Sequence, residues 1–203
     1  MNPASTTFVL GYHGCDASVA EEIFAGKTSP TASENDYDWL GHGIYFWEHN
    51  ARRAYDFACE VRDRPRDRKH KVERPAVVGA VVDLALCLNL LDTRHIELVR
   101  RAYDDLTVFH RQAGGPVPPN SGGPDRLLRR LDCAVVEVLH LTRADQGEPP
   151  FDTVRPAFVE GGPIYADAGF HAKTHIQLCV RDVACIKGYF RPLGDDGKPL
   201  SFG

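Results

Sequence analysis

The stretch Leu40-Gly41-His42-Gly43-Ile44-Tyr45-Phe46-Trp47 decides the fold of this chain of 203 residues. Two glycines precede a run of β-branched and aromatic residues, which predicts a tight turn followed by a short strand over 43–47. Upstream, the β-rich run Thr6 to Tyr12 predicts a first strand that ends at His13. Gly14 follows His13 directly, so each of the two strands carries a ring beside a glycine, where a bare backbone permits close approach.

These rings suggest a particular kind of pocket. An imidazole beside a bare backbone amide can hold a planar amide and a ribose hydroxyl, and a phenol can cover a flat, cationic heterocycle. We therefore expect His13, Gly14 and Tyr45 to bind the nicotinamide riboside half of NAD. Two plainer interpretations stay open: a hydrogen-bonded histidine at a strand end for His13, and a core aromatic for Tyr45.

Composition predicts one ordinary globular domain over 1–203. Apolar residues make up 43% of the chain and charged residues 26%, as is usual for such domains. The net charge of −4 does not indicate nucleic-acid binding, which is typical of chains with an overall basic charge. The first ten residues lack the basic and apolar regions of a secretory signal. No apolar run is long enough to span a membrane, so we expect no membrane partner.

Six scattered cysteines predict buried free thiols in a reducing compartment, which favours a cytoplasmic location. No pair has the Cys-x-x-Cys spacing of a zinc site, so we expect no metal. His171 and His175 are four residues apart, as two ligands on a helix would be. They fall at a strand entrance, however, which favours solvated or hydrogen-bonded histidines.

Four helices are predicted. The first covers 16–25 with Asp16 as its N-cap, and Asn50 caps a second that carries Ala51 and Ala54. A long amphipathic helix at 93–112 and another at 125–141 form a helical insertion over about 93–143. The glycine- and proline-rich loop 113–124 separates them. We interpret this helical pair as scaffold.

The remaining segments read mainly as strands. Residues 76–91 predict a buried strand that runs into a turn, and 175–180 and 186–190 predict two strands near the end of the chain. The connection 181–185 is short enough to join those two as an antiparallel hairpin. By period two, Ile176 shares a face with Leu178 and Val180, and His175 shares the other with Gln177 and Cys179.

The charge run at 60–74 mixes seven basic residues with acidic ones. We interpret it as a solvated loop or helix end. A phosphate-facing or nucleic-acid-facing patch is the alternative, which the interleaved acids and the lack of aromatics disfavour.

The order of these segments resembles ADP-ribosyltransferases of the diphtheria-toxin and poly(ADP-ribose) polymerase type. His13-Gly14 is similar to the family's His-Gly motif, and 41–46 is similar to Gly-x-Gly-Ile-Tyr-Phe, the more specific of the two. Phe151-Asp152-Thr153-Val154 resembles a Tyr-Asp-Ser-Val segment. Gln177 falls where the family's catalytic glutamate would stand, so the chain carries a His-Tyr-Gln variant of a His-Tyr-Glu motif.

This glutamine is the main departure from the family pattern. The family glutamate holds a ribose hydroxyl and stabilises the positive charge that grows as nicotinamide leaves, whereas a neutral amide forms weaker hydrogen bonds. Gln177 also has a plainer interpretation as an ordinary edge amide. The nearest glutamate in sequence is Glu160, beside Gly161-Gly162 in the preceding loop, which we predict as a substitute, and we place His175 among the NAD-binding residues.

The second departure is Tyr55. It stands one residue early for the ring that covers nicotinamide in the family, and a core aromatic is the alternative. We still include it among the predicted NAD-binding residues.

The resemblance implies an α+β fold of the ADP-ribosyltransferase type, with two packed antiparallel sheets in a split β-sandwich and flanking helices. It implies NAD as substrate and single transfer of ADP-ribose to an unidentified acceptor, either a macromolecule or a small molecule. Two alternatives remain: a non-catalytic module that binds NAD or ADP-ribose, and an NAD glycohydrolase.

Overall fold

A computed structural model describes residues 7–64, 71–194 and 196–202. In these ranges the chain is a mixed α+β protein with one large sheet, a small two-stranded sheet and four α-helices. The six residues 65–70 of the charge run lie outside the described ranges, so neither interpretation of that run is tested. No helix in the described part of the chain is both long and apolar enough to cross a membrane.

The helices are bounded by the residues that cap them. They are α1 (Ala17–Phe24), α2 (Ala51–Asp63), α3 (Thr93–Ala113) and α4 (Arg130–Asp145). Asp16 and Asn50 accept hydrogen bonds from backbone amides in the first turns of α1 and α2, as predicted. Helix α4 begins five residues later than predicted, because 120–121 and 128–129 pair as short strands instead.

The strands are β1 (Phe8–Asp16), β2 (Ile44–Glu48), β3 (Pro75–Asp83), β4 (Cys87–Asn89), β5 (Asn120–Ser121), β6 (Leu128–Arg129), β7 (Thr153–Arg155), β8 (Ala157–Phe158), β9 (His175–Val180) and β10 (Ile186–Phe190). The single strand predicted over 76–91 is two, β3 and β4, with a break between them. β1 does not end at His13 but continues to Asp16, because it pairs with β3 along its whole length.

The large sheet has the order β10-β3-β1-β2-β9-β7-β4, with β8 beside β9. We expected two packed antiparallel sheets, but eight of the ten described strands form one hydrogen-bonded sheet. β1 and β2 join its two halves through only two registered pairs, Gly11 with Glu48 and Tyr12 with Trp47. The pairing of β4 with β7 is parallel, so the sheet is mixed.

The predicted hairpin between β9 and β10 is wrong. β9 lies between β2 and β7, whereas β10 pairs with β3 at the far edge of the sheet. A single 3₁₀ turn at 183–185 carries the chain between them. Both faces of β9 are covered by other elements, and its inner position leaves no side on which β10 could pair.

Each face of the sheet has its own core. Phe46, Leu178 and Val180 belong to one cluster, in which Phe46 and Leu178 are fully buried. Cys179 belongs to a second cluster on the other face, together with the inner sides of α3 and α4. The predicted alternation along β9 is therefore confirmed, and the helical pair acts as scaffold against one face of the sheet.

Candidate functional site

Helix α2 is packed tightly against β1, which brings its first turn onto the sheet. A Cβ at Gly14 would clash with the backbone carbonyl of Ala54. Asn50 caps this turn by accepting a hydrogen bond from the Arg53 amide at 2.9 Å. The glycine and the cap together fix where the Arg53 side chain enters the protein.

Arg53 belongs to a group of buried polar side chains, which we call the polar cluster: Trp47, Arg53, Glu160 and His175. One carboxylate oxygen, Oε2 of Glu160, lies 3.5 Å from Arg53 Nη2 and 3.5 Å from His175 Nδ1. The Arg53 guanidinium lies 5.6 Å from the centre of the Trp47 ring. The cluster thus joins β2, α2, the segment after β8, and β9.

Gln177 lies beside this cluster. It is the cross-strand partner of Trp47 and shares a face of β9 with His175. Its backbone amide donates to the carbonyl of Pro156 at 3.2 Å. Its side-chain amide makes no hydrogen bond in the described part of the chain, although only 8% of the residue is exposed.

Burial disfavours the charged forms of both Glu160 and His175. It raises the pKa of the Glu160 carboxyl, which Arg53 partly offsets. It lowers the pKa of the His175 imidazole. His175 Nδ1 donates to the carbonyl of Lys173 at 2.7 Å. Because a carbonyl only accepts, Nδ1 carries the proton, and Nε2 is a bare acceptor in the neutral ring.

Several polar atoms of the cluster have no hydrogen-bond partner. They are Trp47 Nε1, Arg53 Nε, Arg53 Nη1 and His175 Nε2, of which Arg53 Nη1 lies 3.5 Å from Glu60 Oε1 in an ion pair. A buried polar group without a partner costs about 1–3 kcal/mol. Native structures contain few such groups, so several at one place mark a position that deserves a functional explanation.

The His13 side chain does not face the Tyr45 ring, as the predicted nicotinamide pocket would require. Its Nδ1 donates to the carbonyl oxygen of Tyr45 at 2.9 Å, and its ring contacts Phe46 edge-on at 5.8 Å. Tyr45 packs into the core on the opposite face of the sheet. The structure therefore brings His13 to the backbone of Tyr45 but does not bring the two rings together.

Tyr45 anchors the turn before its own strand. Its hydroxyl donates to the carbonyl of Gly41 at 2.7 Å and accepts from the Leu40 amide at 2.9 Å. Glu137 holds the same turn through the His42 amide, while Arg181 bridges Glu137 and the His42 carbonyl. Burial raises the pKa of the Tyr45 hydroxyl, so it stays a neutral hydrogen-bonding group.

Tyr55 is also engaged by another ring. Phe202 stacks on it with ring centres 4.5 Å apart and planes 18° apart. Both rings line a cavity of about 330 Å³ between α1, the start of β3 and the segment 199–202. This cavity lies apart from the polar cluster, and none of the cluster's four residues lines it.

Sequence reasoning selected Glu160, His175 and Gln177, which the structure places close together, but it missed Trp47 and Arg53. For Arg53 the available signal was its position one residue before Ala54, in the first turn after the Asn50 cap. No group of three or more potential metal ligands occurs among the described residues.

Comparison with protein-family models, with curated proteins and with solved structures gives no match to this chain.

Proposed function

We propose that this chain is an NAD-dependent mono-ADP-ribosyltransferase, with the split-sandwich fold of that family as the finer description of its mixed sheet. The observation that carries the proposal is the Glu160 carboxylate. It is buried within 3.5 Å of Arg53 and His175, beside the strand position where Gln177 replaces the family glutamate. The polar cluster thus contains the negative charge that the strand itself lacks.

The reaction separates nicotinamide from NAD. The bond between C1′ of the ribose and the pyridinium nitrogen breaks, and its electron pair neutralises the nicotinamide ring. An acceptor nucleophile then forms a new bond to C1′ and gives its proton to a base. Glu160 stabilises the positive charge that develops on the ribose, because an ion already fixed in a buried site acts without reorganisation.

In this proposal the other predicted site residues bind the ribose or hold the strands and turns of the site in place. Gln177 offers a neutral amide for a ribose hydroxyl. His13, with Gly14, joins the two halves of the sheet by its hydrogen bond to the Tyr45 carbonyl. Tyr45 holds the turn at 40–43, whereas Tyr55 lines the separate cavity beside Phe202 and not the polar cluster. The acceptor, whether a protein, a nucleic acid or a small molecule, is left open.

The test is nicotinamide release from NAD by the purified protein. We expect Glu160→Gln to lower the rate about 100-fold or more, as removal of a charge-stabilising group does. Glu148→Gln is the matched control, because Glu148 is exposed, pairs with Arg143 and does not belong to the polar cluster. The proposal fails if the parent protein releases no nicotinamide, or if Glu160→Gln and the parent release it equally fast.

A second function, a non-catalytic NAD or ADP-ribose binding module, is favoured by one observation: the strand carries a neutral amide at Gln177. Binding of NAD by calorimetry without nicotinamide release would support that module. NAD hydrolysis is the remaining alternative. Recovery of all the ADP-ribose as free product, with no labelled acceptor in a cell extract, would identify it.

A further inference from the structure

A second cavity, of about 320 Å³, lies between the sheet and the two long helices. We call it the helix cavity. Its walls include large apolar side chains from α3, α4, the segment before β2, and β8: Val99, Tyr103, Leu131, Val135, Trp39 and Phe158. Protein interiors contain few voids larger than a water molecule. A space of this size therefore indicates room for a ligand.

The charged side chains that line this cavity are already paired within the chain. Arg100 donates to Asp104 at 2.7 Å. Asp132 accepts from the Asn120 side-chain amide at 2.8 Å and forms an ion pair with Arg129. An ionic ligand would lose its water there without gaining a free partner, which costs free energy. The cavity therefore favours a neutral ligand.

Trp39 forms a firmly held part of the wall. Its Nε1 donates to the Leu127 carbonyl at 3.1 Å, and Phe158 meets its ring edge-on with ring centres 4.6 Å apart. The Arg129 guanidinium lies 3.9 Å from the centre of the same ring. Because these contacts hold the ring before a ligand arrives, binding costs little side-chain entropy here. Tyr103 is 41% exposed, so the cavity reaches the surface beside it.

We propose that the helix cavity binds a neutral molecule with two fused aromatic rings. An apolar cavity of about 150 Å³ accommodates benzene, and the helix cavity has about twice that volume. Flat rings are favoured over alkyl chains, because Trp39, Tyr103 and Phe158 offer faces and edges for aromatic contact. The proposal does not rest on the proposed function, since no member of the polar cluster lines this cavity.

Calorimetry with the full chain tests this site with 2-naphthol as the ligand, 2-naphthoate as the matched anion and 1-octanol as a neutral alkyl compound. We expect 2-naphthol to bind. 2-Naphthoate should bind at least about tenfold more weakly, because its carboxylate must lose water without gaining a partner. 1-Octanol should also bind more weakly than 2-naphthol, because it lacks the ring contacts.

Val99→Phe fills the cavity from α3, so it should lower the affinity for 2-naphthol at least about tenfold. Val108→Phe is the matched control and should keep the parent affinity, because Val108 lies on the same helix, is 48% exposed and does not line the cavity. Circular dichroism checks that the variants are folded. Tyr103→Leu gives a second test at an exposed position: loss of one aromatic wall should weaken 2-naphthol about threefold or more but leave 1-octanol unchanged.

The site would be overturned by a parent protein that does not bind 2-naphthol, by equal affinity for 2-naphthoate, or by an unchanged affinity in folded Val99→Phe or Tyr103→Leu. Self-association that Val99→Phe abolishes would assign the cavity to a second copy of the chain and would also overturn it. Nicotinamide release tests the proposed function separately. Binding of 2-naphthol without release keeps this site and rejects the transferase, whereas release without 2-naphthol binding keeps the transferase and rejects this site.

Discussion

At the scale of single residues, burial lowers the pKa of three imidazoles in the described part of the chain: His13, His140 and His175. In each ring Nδ1 lies within 2.9 Å of a backbone carbonyl. The carbonyl fixes the proton on Nδ1, and burial keeps the ring neutral. This shared arrangement makes folding sensitive to pH.

The sign of that dependence follows from proton binding. A base whose pKa is lower in the folded protein binds fewer protons there than in the unfolded chain. Its stabilising effect is complete above the unfolded pKa of about 6.5, and it is lost as the pH falls below that value. Each such histidine lowers the free energy of unfolding by at most about 1.4 kcal/mol for each pH unit of acidification.

We therefore predict that His140→Leu makes the loss of unfolding free energy between about pH 6.5 and 5 shallower than in the parent. Arg181 adds to the lowering of the His140 pKa, and Glu137 opposes it. Urea denaturation at several pH values measures the slope. His49→Asn, at an exposed position, should keep the parent slope, and a parallel pH profile for His140→Leu would contradict the prediction.

At the scale of elements, the contact between α2 and β1 decides where the candidate site lies. Gly14 admits the Ala54 carbonyl, and Asn50 starts the helix at the turn that carries Arg53. On the other side of the sheet, Glu48 and Arg155 form a two-point ion pair that ties β2 to β7 across β9. The second contact holds β9, the strand that bears His175 and Gln177, between its neighbours.

Asn50→Ala should lower the free energy of unfolding by about 1 kcal/mol, because the Arg53 amide loses its capping oxygen. It should also reduce nicotinamide release, since the first turn of α2 positions Arg53. Asn50→Asp preserves the capping oxygen and serves as the control. Thermal unfolding and the release assay measure the two effects, and an unchanged melting temperature for Asn50→Ala would count against the cap.

At the scale of the whole molecule, one continuous sheet separates the two largest of four apolar clusters. β9 contributes to both, through Leu178 on one face and Cys179 on the other. The site therefore lies on the strand that links the cores, whereas α3 and α4 cover one face without contributing to the polar cluster.

Leu178→Ala should destabilise the protein by about 2–5 kcal/mol, because Leu178 is fully buried and its removal leaves a cavity at the centre of the sheet. Leu141→Ala is the control, since Leu141 on α4 is 64% exposed and its truncation should change the free energy of unfolding by less than about 0.5 kcal/mol. Chemical denaturation followed by circular dichroism compares them. Similar losses in the two variants would contradict the described core.

Features that depend on neighbours within a few residues could be predicted from the sequence alone. Asp16 and Asn50 predicted the starts of α1 and α2, because a cap contacts amides only two or three positions away. The alternation of His175, Gln177 and Cys179 against Leu178 and Val180 predicted the two faces of β9, because side chains along a strand point to opposite sides in turn.

The strand partners and the members of the site depend on how distant parts of the chain pack together, so they could not be predicted from local patterns. Whether β10 pairs with β9 or with β3 depends on which sheet edge is open, and a short connection does not reveal that. Arg53 and Glu160 are separated by more than a hundred residues in the chain, and their meeting depends on how α2 packs over β1. Periodicity and capping carry no information on such distant contacts, because burial of a charged side chain is set by the elements around it.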